Sequence, residues 1–177
     1  TIGDLVYAVL VDNKVMSDGK KLFSADHKNM TTGAIDVANL DKARQLMRTQ
    51  KEPTTDRSLN IRPAFLLVPT ALETVANQTI KSASVKGADI NAGIINPIQN
   101  FASVIGEARL DDADPAAWYL ASAKGSDTIE VAYLNGVDVP YIDQQEGFNT
   151  DGIATKVRID AGVAPIDHRG LTYSSGK

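Results

Sequence analysis

The chain contains two histidines, and each directly follows an aspartate: Asp26-His27 and Asp167-His168. Such pairs are the raw material for a general base with an orienting carboxylate, or for two metal ligands. Direct neighbours on an extended backbone point to opposite faces, however, so neither aspartate readily orients its own histidine. The surrounding residues place His168 near a polar strand end and His27 in a solvated loop. A second acidic group is Asp111-Asp112-Ala113-Asp114-Pro115. Its carboxylates suit a hard cation such as calcium. It lacks the spacing and the closing glutamate of a calcium loop, which favours a solvated turn. No serine lies in a Gly-x-Ser-x-Gly elbow, and the glycines form neither phosphate-cradling signature. Cysteine is absent, which excludes disulfides, cysteine zinc sites and thiol chemistry. The expectation is no catalytic residue, no cofactor and no metal.

The elements that would carry these residues follow from periodicity and punctuation. Residues 2–12 read as a short helix, with Ile2, Leu5, Val6, Val9 and Leu10 near helical spacing. That stripe needs a partner; without one it would be an exposed patch. Ser17-Asp18-Gly19 is a turn signal, and residues 24–29 read as loop. Asn39 is a plausible N-cap for a helix running to about Gln50, with Arg44, Arg48 and Lys51 late in it, where cations suit the helix dipole. Residues 51–60 form a polar connector. Phe65-Leu66-Leu67-Val68, closed by Pro69, reads as a strand buried on both faces. Thr70 and Glu73 have capping-box spacing for a helix over 70–83. A long loop over 87–100 follows, of the kind that tends to be functional or mobile.

Beyond residue 100 the pattern turns to strands: 104–110, 118–122 and 128–134. Trp118, within Trp-Tyr-Leu-Ala, reads as core. Asn135-Gly136 is a strong two-residue hairpin signal, after which residues 137–143 would return antiparallel. Asp151-Gly152 marks another turn, before a strand over 153–161. Helices before 84 and strands after 100 make an α+β arrangement.

Bulk properties narrow the function. A chain of 177 residues with 43% hydrophobic content fills one core, or two small lobes sharing one. A net charge of −4 with scattered Lys and Arg argues against specific nucleic-acid binding, which needs clustered cations. No apolar run approaches the roughly 20 residues that would span a bilayer. A first residue of Thr reads as a fragment or a processed product.

Several stretches resemble one family in order and spacing. They are Met16-Ser17-Asp18-Gly19 with Leu22 to Asn29, the 40–51 helix, and the 61–83 strand-turn-helix. They continue with Trp118 to Ala121, Ile129 to Leu134, and Asp151 to Arg158 closing on Ala164 to Leu171. Together they resemble a tailed-phage major capsid protein of the Mu-like kind, often fused behind a ClpP-like prohead protease. The resemblance implies a Hong Kong 97-type fold, lacking most of the N-terminal arm and extended loop, with a spine helix at about 40–51. It implies a peripheral lobe at 1–60, an axial lobe at 61–150, and C-terminal strands at 151–177 that return to the periphery. It also implies a structural subunit of the virion capsid, assembled in the bacterial host cytoplasm from copies of itself as pentamers and hexamers. Any protease activity would lie upstream in a fused precursor.

The candidate subunit contacts are Arg44, Arg48 and Lys51, the 87–100 loop, and Asp111, Asp112 and Asp114. Reversing charge at Asp111 and Asp112 is expected to impair particles without unfolding the subunit. The alternatives are a hydrolase built on the Asp-His pairs or the acidic turn, and a tail or decoration module. Convergence of His27 and His168 on one pocket would favour the hydrolase.

Overall fold

A computed structural model describes residues 1–85, 94–126, 128–146 and 152–177. Its centre is a five-stranded mixed sheet in the order β1-β9-β4-β2-β3. The strands are β1 (Met30–Thr31), β9 (Leu171–Ser174), β4 (Trp118–Ser122), β2 (Pro63–Val68) and β3 (Ser103–Gly106). β2 runs parallel to β3 and antiparallel to β4, and β9 runs antiparallel to β4 and parallel to β1.

Alternation along the strands builds a core on each face. Trp118 and Leu120 of β4 join Leu66 and Val68 of β2 on one face. There they meet Leu40, Ala43 and Met47 of α2 (Val37–Arg48) and Ala76 and Ile80 of α3 (Thr70–Lys81). Tyr119 and Leu171 turn to the opposite face. They meet Val9 and Leu10 of α1 (Ile2–Val11), Leu22, Phe23, and Leu110 of α4 (Ala108–Asp111). Successive side chains of a strand point to opposite sides, so one five-residue strand supplies both interiors. Tyr119 lies against Phe23 and Tyr173 at ring-centroid distances of 5.6 and 5.3 Å, tilted as aromatic pairs prefer. The indole Nε1 of Trp118 donates to the Gly33 carbonyl at 3.1 Å. The apolar stripe of residues 2–10 therefore does have a partner.

The helix termini differ from the sequence expectations for identifiable reasons. α2 is capped by Asp36, whose carboxylate accepts from the Asn39 amide at 2.7 Å. Asn39 is thus the third helical residue, and the helix ends at Arg48. The Thr70–Glu73 capping box does not form. Thr70 is already inside α3, and Pro69 at the cap position has no hydrogen-bonding side chain. The strand expected over 104–110 stops at Gly106, and the chain turns into α4 with Glu107 as its N-cap.

The strands after residue 128 pair unexpectedly. β5 (Ile129–Tyr133) is followed by a 3₁₀ turn at Leu134–Gly136, with Asn135 at φ 54° and Gly136 at φ 72°. Both residues take the positive φ that the Asn-Gly signal implies. Residues 137–143 nevertheless do not return along β5, whose partner is β8 (Ala161–Pro165). The chain instead continues into β6 (Tyr141–Glu146), which pairs with β7 (Ile153–Arg158). The strand expected over 153–161 is accordingly divided at Ile159-Asp160 between two partners. Asp151 and residues 87–93 of the expected 87–100 loop lie outside the described residues. In the described part of that loop, Asn96 donates to the carbonyls of Thr79 and Ser82 at 2.7 and 3.0 Å, fastening the end of α3.

The architecture is α+β, as expected. β9 inserts between β1 and β4, so strands from the segments 1–60, 61–150 and 151–177 share one sheet. Truncating Trp118, which is 0% exposed and belongs to the larger core, should expose this dependence. Trp118→Ala is expected to cost about 3–5 kcal/mol, read as a lower denaturant midpoint with an unchanged slope.

Candidate assembly surface

β5–β8 and β6–β7 form two successive antiparallel ladders within one long hairpin. The inner ladder is covered: α1 packs on β8, and Ile129 and Val163 reach the core around Val9 and Leu10. The outer ladder is bare, with all twelve residues of β6 and β7 exposed. Directly paired residues share a face. One face therefore carries Ile142 beside Val157, Gln144 beside Thr155, and Glu146 beside Ile153. The other carries Tyr141 beside Arg158, Asp143 beside Lys156, and Gln145 beside Ala154. The first face holds three aliphatic side chains, exposed to 62%, 63% and 66% for Ile142, Val157 and Ile153. Val137 and Val139, on the approach to β6, are exposed as well. A two-stranded ribbon by itself is marginal in water, and contiguous exposed apolar surface usually marks an interaction site.

The six charged candidates have more local work than the sequence suggests. Asp111 reaches across 41 residues to cap α3. Its Oδ2 accepts from the Thr70 amide at 2.8 Å and the Thr70 hydroxyl at 2.7 Å, and its Oδ1 accepts from the Ala71 amide at 3.2 Å. These bonds, led by the Thr70 hydroxyl, hold the Asp111 carboxyl below the usual carboxylate range. Asp114 accepts from the Ala116 amide at 3.0 Å and lies 3.7 Å from the Lys177 ammonium. Arg44 pairs with Asp41 on the same helix, and Arg48 Nε donates to the Asn60 side chain at 2.8 Å. The Lys51 carbonyl accepts from Arg169 Nε at 3.0 Å. Asp112 and Lys51 have exposed side chains. α2 and α4 pack on opposite faces of the sheet, so the basic and acidic candidates do not form one patch.

The two histidines converge, and His27 is not in the solvated setting expected of it. The His27 and His168 rings stack at a centroid distance of 3.8 Å with 6° between planes. His27 is buried, not solvated. Its Nε2 lies 2.8 Å from an Asp18 carboxylate oxygen and its Nδ1 lies 3.0 Å from the Leu22 carbonyl oxygen. Neither adjacent aspartate orients its own histidine. Asp26 pairs with Lys20 at 3.4 Å, and Asp167 binds the Arg169 amide and guanidinium at 2.9 and 2.8 Å. Burial, reinforced by the neighbouring His27, pushes His168 down to about 4.

Convergence alone does not make a hydrolytic site. Both nitrogens of His27 are already engaged, which leaves no basic lone pair facing a nucleophile. Among the described residues no group of three or more histidine, cysteine or acidic side chains is placed to hold a metal ion. No local spacing joins residue 27 to residue 168, so the stack had no signature in the sequence. The ribbon did have one, in the alternation over 153–159, but alternation does not reveal which strand a ribbon pairs with.

A helix-flanked mixed sheet bearing a long, uncovered hairpin is the build of a protein that meets other surfaces through an extension. Among the solved structures similar to this chain are two from bacteria. One is a phage-related protein from Bordetella bronchiseptica RB50, with TM-score 0.54 and 11% identity, over 88% of this chain and 56% of that chain. The other is the SrpI encapsulin of Synechococcus elongatus PCC 7942, with TM-score 0.51 and 16% identity, over 92% of this chain and 58% of that chain. At such identities the likeness shows the fold, which is Hong Kong 97-like. The chain belongs to the phage capsid protein family, whose profile matches residues 1–174. It spans little more than half the length of the two solved structures. No curated protein matches it by sequence.

Because Asp111 caps α3, charge reversal there should damage the fold and not only its contacts. Asp111→Lys is expected to lower the melting midpoint by a few degrees, while Asp112→Lys leaves it nearly unchanged, both read by thermal circular dichroism. The sign with pH is fixed by the depressed carboxyl. The cap's contribution is present above the ordinary aspartate range, near 3.9, and is lost as pH falls below it.

Proposed function

We propose that this chain is a structural subunit of a phage head shell and works by associating with copies of itself. The observation that carries this reading is the β6–β7 ribbon, with every residue exposed and Ile142, Ile153 and Val157 on one face. Membership of the capsid family supports it, as does a fold shared with an encapsulin.

Closed rings of five or six need heterologous contacts, in which one surface meets a different one on the next copy. A projecting ribbon is suited to that geometry, since it presents an apolar face on one side and paired charges on the other. Lys51 and Asp112, with the already paired Arg44, Arg48 and Asp114, are proposed as rim charges that guide register more than affinity. Asp111 is retained chiefly as a helix cap. Residues 1–60 are proposed as the peripheral lobe, 61–150 as the axial lobe, and 151–177 as strands returning to the periphery. The proposed setting is the virion capsid, with assembly in the host cytoplasm.

The hydrolase alternative gains nothing from the stacked histidines, because the ring best placed to act as a base is already occupied by Asp18 and Leu22. A protease fused upstream would hold its activity outside this segment.

The test is assembly of the full-length subunit carrying Ile142→Asp with Val157→Asp. Wild type is expected to form closed particles by negative-stain electron microscopy. The double variant should remain as small species by light scattering, with an unaltered circular dichroism spectrum. Particles from the variant at wild-type yield would refute the ribbon's role.

A further inference from the structure

Three segments remote in sequence meet at the stacked histidines. The 18–29 loop supplies Asp18, Leu22, His27 and Asn29. The segment after α2 supplies Gln50, whose side-chain amide donates to the carbonyls of His27 and Lys28 at 3.0 and 3.3 Å. The approach to β9 supplies Asp167, His168 and Arg169. Asn29 joins the first and third, donating to the Leu22 carbonyl at 2.9 Å while its own carbonyl accepts from the Tyr173 amide at 2.9 Å.

We propose that the His27–His168 stack is a proton-controlled clasp, holding the 18–29 loop against the approach to β9 while His168 is neutral and releasing it when His168 is charged. This goes beyond shell assembly and does not depend on it.

The geometry fixes the asymmetry between the rings. His27 sees an acceptor at each nitrogen, a carboxylate at 2.8 Å and a carbonyl at 3.0 Å. His168 has no such support. Its side chain is 19% exposed and its ring lies flat on His27, and the nearest carboxylate oxygen to its Nδ1 is that of Asp167 at 3.9 Å. A proton on His168 would put charge on a largely buried ring stacked flat on His27. The other charges around the stack are already engaged. From the loop, Asp18 binds the far edge of His27, and Lys20 pairs with Asp26. From the C-terminal side, Asp167 is taken by Arg169, whose guanidinium also binds the Lys51 carbonyl. Among the described residues, no carboxylate within hydrogen-bond distance of His168 is left to neutralise it.

The sign follows from linkage. In the released state His168 is solvated and takes its proton near the ordinary value of about 6.5. In the closed state it resists protonation down to about 4. The released population should therefore rise between these limits, by roughly threefold to tenfold per pH unit, the upper figure being the full slope for one proton.

The experiment is amide hydrogen exchange by mass spectrometry on the 177-residue chain from pH 7.5 to 4.5, corrected for the intrinsic pH dependence of exchange. Peptides covering 18–29 and 166–174 are expected to lose protection by that factor per unit below pH 6.5. Peptides covering β2 and the first half of β4 should keep theirs. His168→Phe, which retains a ring for stacking but takes no proton, should abolish the pH dependence. Wild-type protection that does not change with pH, parallel loss in the β2 peptides, or an unaltered slope in the phenylalanine variant would each overturn the clasp. Should that variant fold poorly, the proton NMR titration of His168 in the wild type decides. A midpoint well below 6.5 is expected, and one at or above 6.5 refutes the proposal.

Discussion

The structure depends on β4 being apolar on both faces. It lies between β2 and β9, so any polar side chain in its middle would face a core from one side or the other. Trp118 and Leu120 look toward α2 and α3, while Tyr119 looks toward α1 and α4. The polar atoms that must accompany such burial are satisfied: the Trp118 indole by Gly33, and the backbone by ladders on both edges. Buried donors left without partners are costly, so these bonds are part of what permits the packing. Gly33 sustains the arrangement from outside the strand. Its φ of 104° aims a carbonyl that receives both Trp118 and the Ser174 hydroxyl. A β-carbon there would come within 2.4 Å of the Asn39 side chain.

This explains what could be read in advance. Runs whose burial is set by their own side chains were legible: the apolar 65–68 strand, Trp118 to Ser122, and the amphipathic helices at 2–11 and 70–81. Features set by a distant partner were not. Asp111 reads as one more surface carboxylate because Thr70 is 41 residues away. His27 reads as a loop residue because the ring that covers it comes from position 168. The Asn135-Gly136 turn is visible in the sequence, but the partner of the strand before it is not. β5 is instead paired with β8, and the residues after the turn lead into a second ladder, β6–β7.

The same contrast separates the body from the ribbon. Helices and sheet bury their apolar faces against each other and leave charged groups such as Arg44 and Arg48 tied to near neighbours. The outer hairpin does the reverse: it keeps Asp143 beside Lys156 on one face and leaves Ile142, Ile153 and Val157 bare on the other. Cross-strand charge pairs of this kind keep an exposed ribbon soluble and in register. Its apolar face makes sense only if something covers it.

The position of β9 bears on how the molecule is made. Residues 171–174 fill the slot between β1 and β4, although β1 leaves the ribosome roughly 140 residues earlier. Until that last strand emerges, β1 has no neighbour and one side of β4 stays unpaired. Non-local strand pairing of this sort is slow and leaves strand edges open meanwhile. The sheet is therefore finished only after synthesis of nearly the whole segment, and a nascent chain stalled before residue 171 would expose an open edge beside Trp118.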